Sequence, residues 1–385
     1  MADNPALGER DLSAWLAARS VERAGAGLQR QLHPRGPTSR LVDLAGNDYL
    51  GLTKDPRVIR AAAEAALRWG TSAAASRLVT GSLQLHSELE AELTQFTGNE
   101  SALVFSTGYQ ANLGVVTALA DSDTLIVSDA HVHASLVDGC RLAHAGRLEI
   151  VPHSDLDAVA TALKARRQPR AVVLVESVYS VLGDAAPLAE VAALVEEYDA
   201  LLVVDEAHAI AVAGHEGRGL VATAGLAGRP DIVTTLTLSK ALASQGGAVL
   251  GSPAVIDHLI NTARPFIYDT GLAPAATAAA LEALLVVRAE PTLPGRALEL
   301  SARLAAGVGV ANPAGAVLSV PMRSPEQALQ TQAQLAEAGF RVGCFRPPSV
   351  PDGVSRLRLT ARASLTNDQV DEVIGAITAM TGLLS

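Results

Sequence analysis

Three lysines occur in the 385 residues, and one of them stands apart from the other two. Lys54 falls in a Thr-Lys-Asp-Pro turn and Lys164 in the basic run Lys164-Ala165-Arg166-Arg167, both settings that solvate an ammonium head. Lys240 instead follows the apolar stretch Thr235-Leu236-Thr237-Leu238 and enters a turn rich in hydroxyls and glycine that ends at Gly247. Desolvation at a buried strand end lowers an amine's pKa and leaves a nucleophile fit to form a Schiff base. A lysine at an element end also suits a snorkelling position, stem buried and head wet. The neighbouring motifs must decide between the two.

Asp205 closes a second apolar run, Leu201-Leu202-Val203-Val204, and is followed by Glu206-Ala207-His208. An apolar strand ending in Asp-Glu-Ala-His resembles the magnesium-binding strand of a helicase-like ATPase. That chemistry needs a G-x-x-x-x-G-K-[ST] phosphate loop, and none of the three lysines follows a glycine. A dinucleotide fold is equally unsupported, because no G-x-G-x-x-G follows the first strand. The third element is Ser106-Thr107-Gly108-Tyr109, where an apolar strand turns into a helix. Free N–H groups and the helix dipole at such a turn can hold a phosphate without a lysine, although a hydroxyl there also serves as an ordinary N-cap. Acid, lysine and phosphate turn together fit pyridoxal phosphate. Asp205 would keep the pyridine nitrogen protonated so that the ring accepts electrons. Lys240 would hold the aldehyde and later take the substrate's Cα proton.

These residues need one scaffold to bring them together. Short β-rich runs at 124–128, 148–151, 171–176, 201–205 and 232–237 alternate with helical patterns, the signature of βα units and a mostly parallel sheet. Ligands of such sheets gather at the carboxyl ends of the strands. There the chain places His131 and His133, then Ser177 and Ser180, then Asp205 and His208, then Ser239 and Lys240. The expected fold is α/β, a mostly parallel sheet flanked by helices, with a smaller α+β domain. The expected organisation is an N-terminal arm (1–45, with a helix over about 12–32), a large domain (46–290) and a small domain (291–385) bounded near Pro291–Gly295. The small domain carries strands at 317–320, 341–345 and 356–360.

Composition agrees with an enzyme of this class. Residues are 49% hydrophobic but only 3% aromatic, which suits helices packed closely on a sheet of small branched side chains. A net charge of −10 argues against nucleic acid or an anionic membrane as main partner. Cys140 and Cys344 have no CxxC or histidine cluster beside them, so neither a disulfide framework nor a metal site is expected. The longest apolar run, 271–287, is broken by Pro274 and Glu282 and reads as a core helix. The opening residues show no basic and apolar leader, so a cytoplasmic location is expected.

Five motifs jointly resemble the α-oxoamine synthases, fold-type I pyridoxal phosphate enzymes, over nearly the whole chain. They are Asn47-Asp48-Tyr49-Leu50-Gly51-Leu52, Ser106-Thr107-Gly108-Tyr109, Ser135 within His131-Val132-His133-Ala134-Ser135, Asp205-Glu206-Ala207-His208, and Thr237-Leu238-Ser239-Lys240. The resemblance implies that Lys240 binds the cofactor aldehyde and Asp205 the ring nitrogen. It implies that His133 stacks on the ring and contacts the amino-acid carboxylate, with Ser180 and His208 near the ring hydroxyl. Backbone groups of Gly108 and Tyr109 and the Thr237 hydroxyl would hold the phosphate. Arg358 would anchor the substrate carboxylate, while Arg356 makes a structural ion pair. Ser349 matches a position near the acyl chain, and an N-terminal residue, Arg30 or else Gln29, would also contact substrate.

Phe345-Arg346-Pro347-Pro348-Ser349-Val350-Pro351 and Arg356-Leu357-Arg358-Leu359-Thr360 resemble the branch of that family that joins L-alanine to a pimeloyl thioester of coenzyme A or acyl carrier protein. Sister branches take glycine or serine with other acyl thioesters. A catalytically silent binding protein of the same fold is the alternative outside enzymes, and it would form no Schiff base at Lys240. The family also implies a homodimer with the site at its interface, to which Tyr268-Asp269-Thr270-Gly271 would contribute. One departure is Ala73-Ala74-Ala75, where relatives often carry glycine and serine.

Overall fold

The computed structural model describes residues 12–25, 28–30, 32–347 and 350–381. The chain divides into two compact units between Arg40 and Leu41. Among its described residues the first contains one helix, Leu12–Gly25, shorter than the expected 12–32, since residues 28–30 are not helical. Leu12, Trp15 and Leu16 on it are exposed.

The second unit holds both sheets. Its strands are β1 (Val42–Leu44), β2 (Ser101–Phe105), β3 (Thr124–Asp129), β4 (Arg147–Val151), β5 (Arg170–Glu176), β6 (Leu201–Asp205), β7 (Ile232–Thr237), β8 (Gly247–Gly251), β9 (Val317–Pro321), β10 (Phe340–Phe345) and β11 (Arg356–Thr360). The seven-stranded sheet runs β2-β8-β7-β6-β5-β3-β4, and the four-stranded sheet runs β1-β10-β11-β9. In the larger sheet the pairs β7–β6, β6–β5, β5–β3 and β3–β4 are parallel, while β8 is antiparallel to both its neighbours.

Period-two alternation explains why the central strands are apolar throughout. Val172, Leu174 and Val203 pack on one face with the helices Gly108–Leu119 and Ala134–Leu142. Val173, Val175, Leu202 and Val204 pack on the other with Leu156–Lys164 and Leu188–Glu197. Both faces are dry, so neither half of the alternation is free to be polar. Each such side chain contributes about 1.5–3 kcal/mol by leaving water. Helix Pro274–Ala289, the expected core helix, buries Ala280, Ala283, Leu284 and Val287 completely. No helix among the described residues is long and apolar enough to cross a membrane.

β8 is the one strand of the larger sheet besides β2 that does not fit a simple run of βα units. It returns directly beside β7, so the segment between them is a hairpin loop and not a strand-to-helix turn. Leu238 N–H donates to Gly246 O (3.0 Å), Ser244 N–H to Leu238 O (3.0 Å) and Ala243 N–H to Lys240 O (3.0 Å), which closes the loop on itself. Lys240 is thereby mounted on a braced loop between two buried strands.

Candidate active site

The carboxyl ends of β3, β5, β6 and β7 open on one side of the larger sheet, and a cavity of about 260 Å³ lies there. Its wall includes Lys240, Asp205, His133, His208, Gly108, Tyr109 and Thr237, which are seven of the residues singled out in the sequence. Thr107, Asn112, Ser135, Glu176 and Ser239 add to its polar lining.

Asp205 ends β6 and is buried. Its Oδ1 accepts from the Ala207 N–H (2.8 Å) and its Oδ2 from Asn112 Nδ2 (2.7 Å). The same Asn112 amide donates to Ser135 Oγ (2.8 Å) and accepts from Thr235 Oγ1 (2.6 Å), tying helix 108–119 to β6, β7 and the start of helix 134–142. Glu176 stands beside Asp205 as its register partner on β5. Glu176 Oε2 accepts from the Ser180 N–H (2.9 Å), while its buried Oε1 has no partner. Burial first, and then the adjacent Asp205, push the Glu176 carboxyl well above the ordinary range, which favours its neutral form.

Lys240 Nζ lies 2.8 Å from His208 Nε2, and Tyr49 Oη lies 2.6 Å from His208 Nδ1. Desolvation lowers Lys240 from 10.5 to about 8, against the opposing pull of Asp205 and Glu176. The same desolvation, reinforced by Lys240 and Arg358, takes His208 well below 6.5 and keeps it neutral. His133 caps helix 134–142, with its Nδ1 accepting from the Ser135 N–H at 3.2 Å, so its ring proton sits on Nε2. Burial lowers its pKa too, against Asp205.

At the other end of the cavity, Thr107 caps helix 108–119 by accepting from the Gln110 N–H (3.0 Å). The first-turn N–H groups of Gly108 and Tyr109 have no intrahelical acceptor. A Cβ on Gly108 would come within 3.0 Å of Thr237 Cβ and 3.1 Å of its Oγ1, and one on Gly247 within 2.5 Å of Gly108 N. Glycine at both places lets the helix end approach β7 and β8 closely. The donor set fits pyridoxal phosphate: a helix N-terminus with glycine for a phosphate, a clasped carboxylate for a ring nitrogen, and an amine of lowered pKa for an aldehyde. The unpartnered Glu176 oxygen marks the same wall as built for a polar guest.

Arg358, on β11, is buried and fixed from two sides. Its Nε donates to Ser180 O (2.7 Å), and Nη1 and Nη2 both donate to Asn47 Oδ1 (3.2 and 3.1 Å). These bonds use three of a guanidinium's five N–H groups and leave two for a ligand. Ser180 is thus engaged through its main chain, at both Arg358 and Glu176, and stands behind the cavity wall. Arg356 pairs with Asp352 (Nη1 to Oδ1, 2.8 Å), the structural ion pair expected of it. Ser106 Oγ donates to Asp269 within the same chain. His131 stacks on His153 at 4.6 Å, away from the cavity lining. Arg30 lies in the unit that ends at Arg40, and Ser349 lies outside the described residues.

Asn112 and Glu176 were not singled out from sequence. Glu176 carried a usable signal, since it ends an apolar strand in an acid as Asp205 does. Asn112 carried none, because one asparagine in the first turns of a helix gives no hint of what lies opposite it.

A family model described as aminotransferase class I and II matches residues 39–377. The chain is 54% identical over 358 residues to the 8-amino-7-oxononanoate synthase of Mycolicibacterium gilvum, covering 93% of this chain and 94% of that one. It is 55% identical over 358 residues to the 8-amino-7-oxononanoate synthase of Mycolicibacterium smegmatis, with the same coverage of 93% and 94%. Among solved structures it is similar to a serine palmitoyltransferase from S. paucimobilis with a bound PLP–myriocin aldimine, at a TM-score of 0.89 and 30% identity, covering 96% of this chain and 98% of that one.

Proposed function

The chain belongs to the class I and II aminotransferase family, and from that premise we propose that it acts as an 8-amino-7-oxononanoate synthase of biotin synthesis. It joins L-alanine to the acyl group of a pimeloyl thioester and releases carbon dioxide and the free thiol. The observation that carries the chemistry is the convergence of Lys240, Asp205 and the N-terminus of helix 108–119 on one cavity. The high identity to two such synthases over nearly the full chain favours this acyl and amino-acid pair over that of serine palmitoyltransferase, which is matched at 30%.

Pyridoxal phosphate, when bound, supplies an aldehyde for amines and a ring that takes up the electron pair left at an amino acid's Cα. The chain's residues do the rest. Gly108 and Tyr109 N–H groups and the Thr237 hydroxyl hold the phosphate. Asp205, its two oxygens already held by Asn112 and the Ala207 N–H, keeps a proton on the ring nitrogen. His133, on the cavity wall, would lie against the cofactor and, with the two remaining N–H groups of Arg358, would receive the substrate carboxylate. A carboxylate held in this way would fix the orientation of the substrate's Cα toward Lys240. Lys240, lowered to about 8, has a neutral fraction of about a tenth at pH 7 that grows as pH rises, far above that of an ordinary lysine, and this amine takes the Cα proton. Ser180 supports this from behind by bracing Arg358 and Glu176, and His208 holds Lys240 Nζ. Arg30 and Ser349 are proposed as contacts to the acyl substrate. The working unit is proposed to be a homodimer in the cytoplasm, with the segment 268–271 serving the partner's site; Tyr268 in that segment is 72% exposed.

The test is to load the purified protein with pyridoxal phosphate and follow its visible absorbance while titrating L-alanine, glycine and L-serine, then to add pimeloyl-coenzyme A or pimeloyl acyl carrier protein. The expected result is tightest response to L-alanine, with carbon dioxide and thiol released one to one. A tighter response to glycine or serine assigns a sister reaction. Lys240→Ala is expected to abolish turnover, and a variant retaining it would remove Lys240 from the mechanism.

A further inference from the structure

The Asn47-Asp48-Tyr49 turn has no part in the mechanism so far, yet its tyrosine is not solvated as turn residues commonly are. Tyr49 is fully buried, and its hydroxyl lies between Asn47 Oδ1 (3.1 Å) and His208 Nδ1 (2.6 Å). Arg358 fixes which way the Asn47 amide points. Both its Nη groups point at Asn47 Oδ1, and a guanidinium has only donors, so the atom they face is the amide oxygen. Asn47 Oδ1 at 3.1 Å and His208 Nδ1 at 2.6 Å compete for the single phenol proton, and a Lys240 ammonium facing Nε2 at 2.8 Å needs a lone pair there, which places the ring proton on Nδ1 and sends the phenol proton to Asn47. The phenol oxygen then accepts from His208 Nδ1–H. The phenol keeps its proton throughout, since burial pushes Tyr49 up to about 12 against the opposing charge of Arg358.

We infer that Tyr49 is a positioning residue that locks His208 in its Nδ1–H form, so that Nε2 accepts a hydrogen bond from Lys240 and steadies Lys240 in the charged form it acquires with the substrate proton. The chain of bonds does not conduct that proton away. It ends on an amide oxygen, which has negligible basicity and is already engaged by Arg358. It sets direction instead. A lone pair facing Nζ favours the ammonium, whereas an Nε2–H in its place would face the Lys240 N–H groups or favour the neutral amine. The other charged or titratable groups around Nζ are Asp205 and Glu176, which favour the ammonium, and Arg358, which disfavours it; His133 shares the cavity wall. None of them reports which way the His208 ring is protonated. The inference rests on the reading of Lys240 as the base, and its test is independent of turnover.

Competitive acylation of the full-length chain across pH 6 to 11, quantified by peptide mass spectrometry, reads the titration midpoint of Lys240, with Lys54 and Lys164 as internal references. Tyr49→Phe removes the acceptor for His208 Nδ1–H and frees the ring to change tautomer. The expected result is a Lys240 midpoint lower by about one pH unit, a tenfold change in its charged-to-neutral ratio at fixed pH, with the two reference lysines unmoved. An unmoved or raised midpoint overturns the inference. The ¹⁵N-histidine spectrum of the unmodified chain, with His208 assigned by loss of its signals in His208→Gln, provides a second measurement should Tyr49→Phe not fold. Protonation at Nδ1 is expected, and protonation at Nε2 overturns it. A lowered midpoint in a protein that condenses no acyl thioester would overturn the proposed reaction and leave the tautomer standing. Condensation with an unmoved midpoint would do the reverse.

Discussion

Replacing Asn112 by leucine keeps the volume and removes the polar clasp on Asp205. Asn112 makes three hydrogen bonds, to Asp205 Oδ2 (2.7 Å), Ser135 Oγ (2.8 Å) and Thr235 Oγ1 (2.6 Å), and all four residues are buried. No cavity opens, so the cost is polar. Asp205 keeps the Ala207 N–H but loses a charge-assisted bond of about 1.5–3 kcal/mol. Ser135 retains His133 Nδ1 at 2.7 Å and loses little. Thr235 is left with an orphaned hydroxyl, which costs about 1–3 kcal/mol. The sum, roughly 3–6 kcal/mol, is a large part of the 5–15 kcal/mol that holds an ordinary domain together. Urea denaturation with and without pyridoxal phosphate measures both consequences. The midpoint of the cofactor-free protein should fall by an amount corresponding to that sum. Cofactor affinity should fall about tenfold to a hundredfold, because the carboxylate meant for the ring nitrogen is no longer held in place, and the stabilisation conferred by the cofactor shrinks accordingly. Thr235→Val is the control: it removes the hydroxyl that Asn112 Oδ1 accepts from but leaves the amide N–H on Asp205, and should cost about 1–3 kcal/mol with cofactor affinity nearly intact. An Asn112→Leu protein with unchanged cofactor affinity would refute the argument that this amide positions Asp205.

Two further outcomes concern residues outside the cavity. His153 is held between Asp129 (3.1 Å) and Asp184 (2.9 Å); burial alone would lower its pKa, but the two carboxylates outweigh it and raise it from 6.5 to about 9. A raised folded-state pKa gives stability that is complete below about pH 6.5 and lost as pH rises through about 9. His153→Gln should thus be less stable by about 1–3 kcal/mol at pH 6, with the gap closing above pH 9; a gap constant from pH 6 to 10 in urea titrations would contradict the ion pairing. Ala74 adopts φ of +62°, in the left-handed region. Ala74→Gly should raise the urea midpoint, at unchanged slope, by about 0.5–1 kcal/mol of stability, the left-handed penalty less the added entropy of glycine; a lower midpoint would show that the loop does not bear that strain.

Much of the scaffold is legible in the chain because its signals are local. Strands β6, β7 and β11 fall where the apolar spacing puts them, and Lys240 and Asp205 are marked by residue type at the ends of such strands. β8 escaped because Gly246 and Gly247 read as the tail of a turn, and only the partner strands β2 and β7 make Gly247–Gly251 extended. Ser180 is marked in the sequence for its hydroxyl, and the fold adds what no local pattern shows, its amide held by Glu176 and its carbonyl by Arg358.

The sequence by itself determined the α/β class, the apolar strands and the lysine and carboxylate that carry the chemistry, since periodicity and residue type act over a few neighbouring positions. The tertiary structure alone decided which side chains hold those two in working order. Asn112 reaches Asp205 across 93 residues, Tyr49 reaches His208 across 159, and Arg358 reaches Asn47 across 311. Bonds of that span depend on where β5, β6, β7 and β11 come to rest against one another, and no local spacing encodes it.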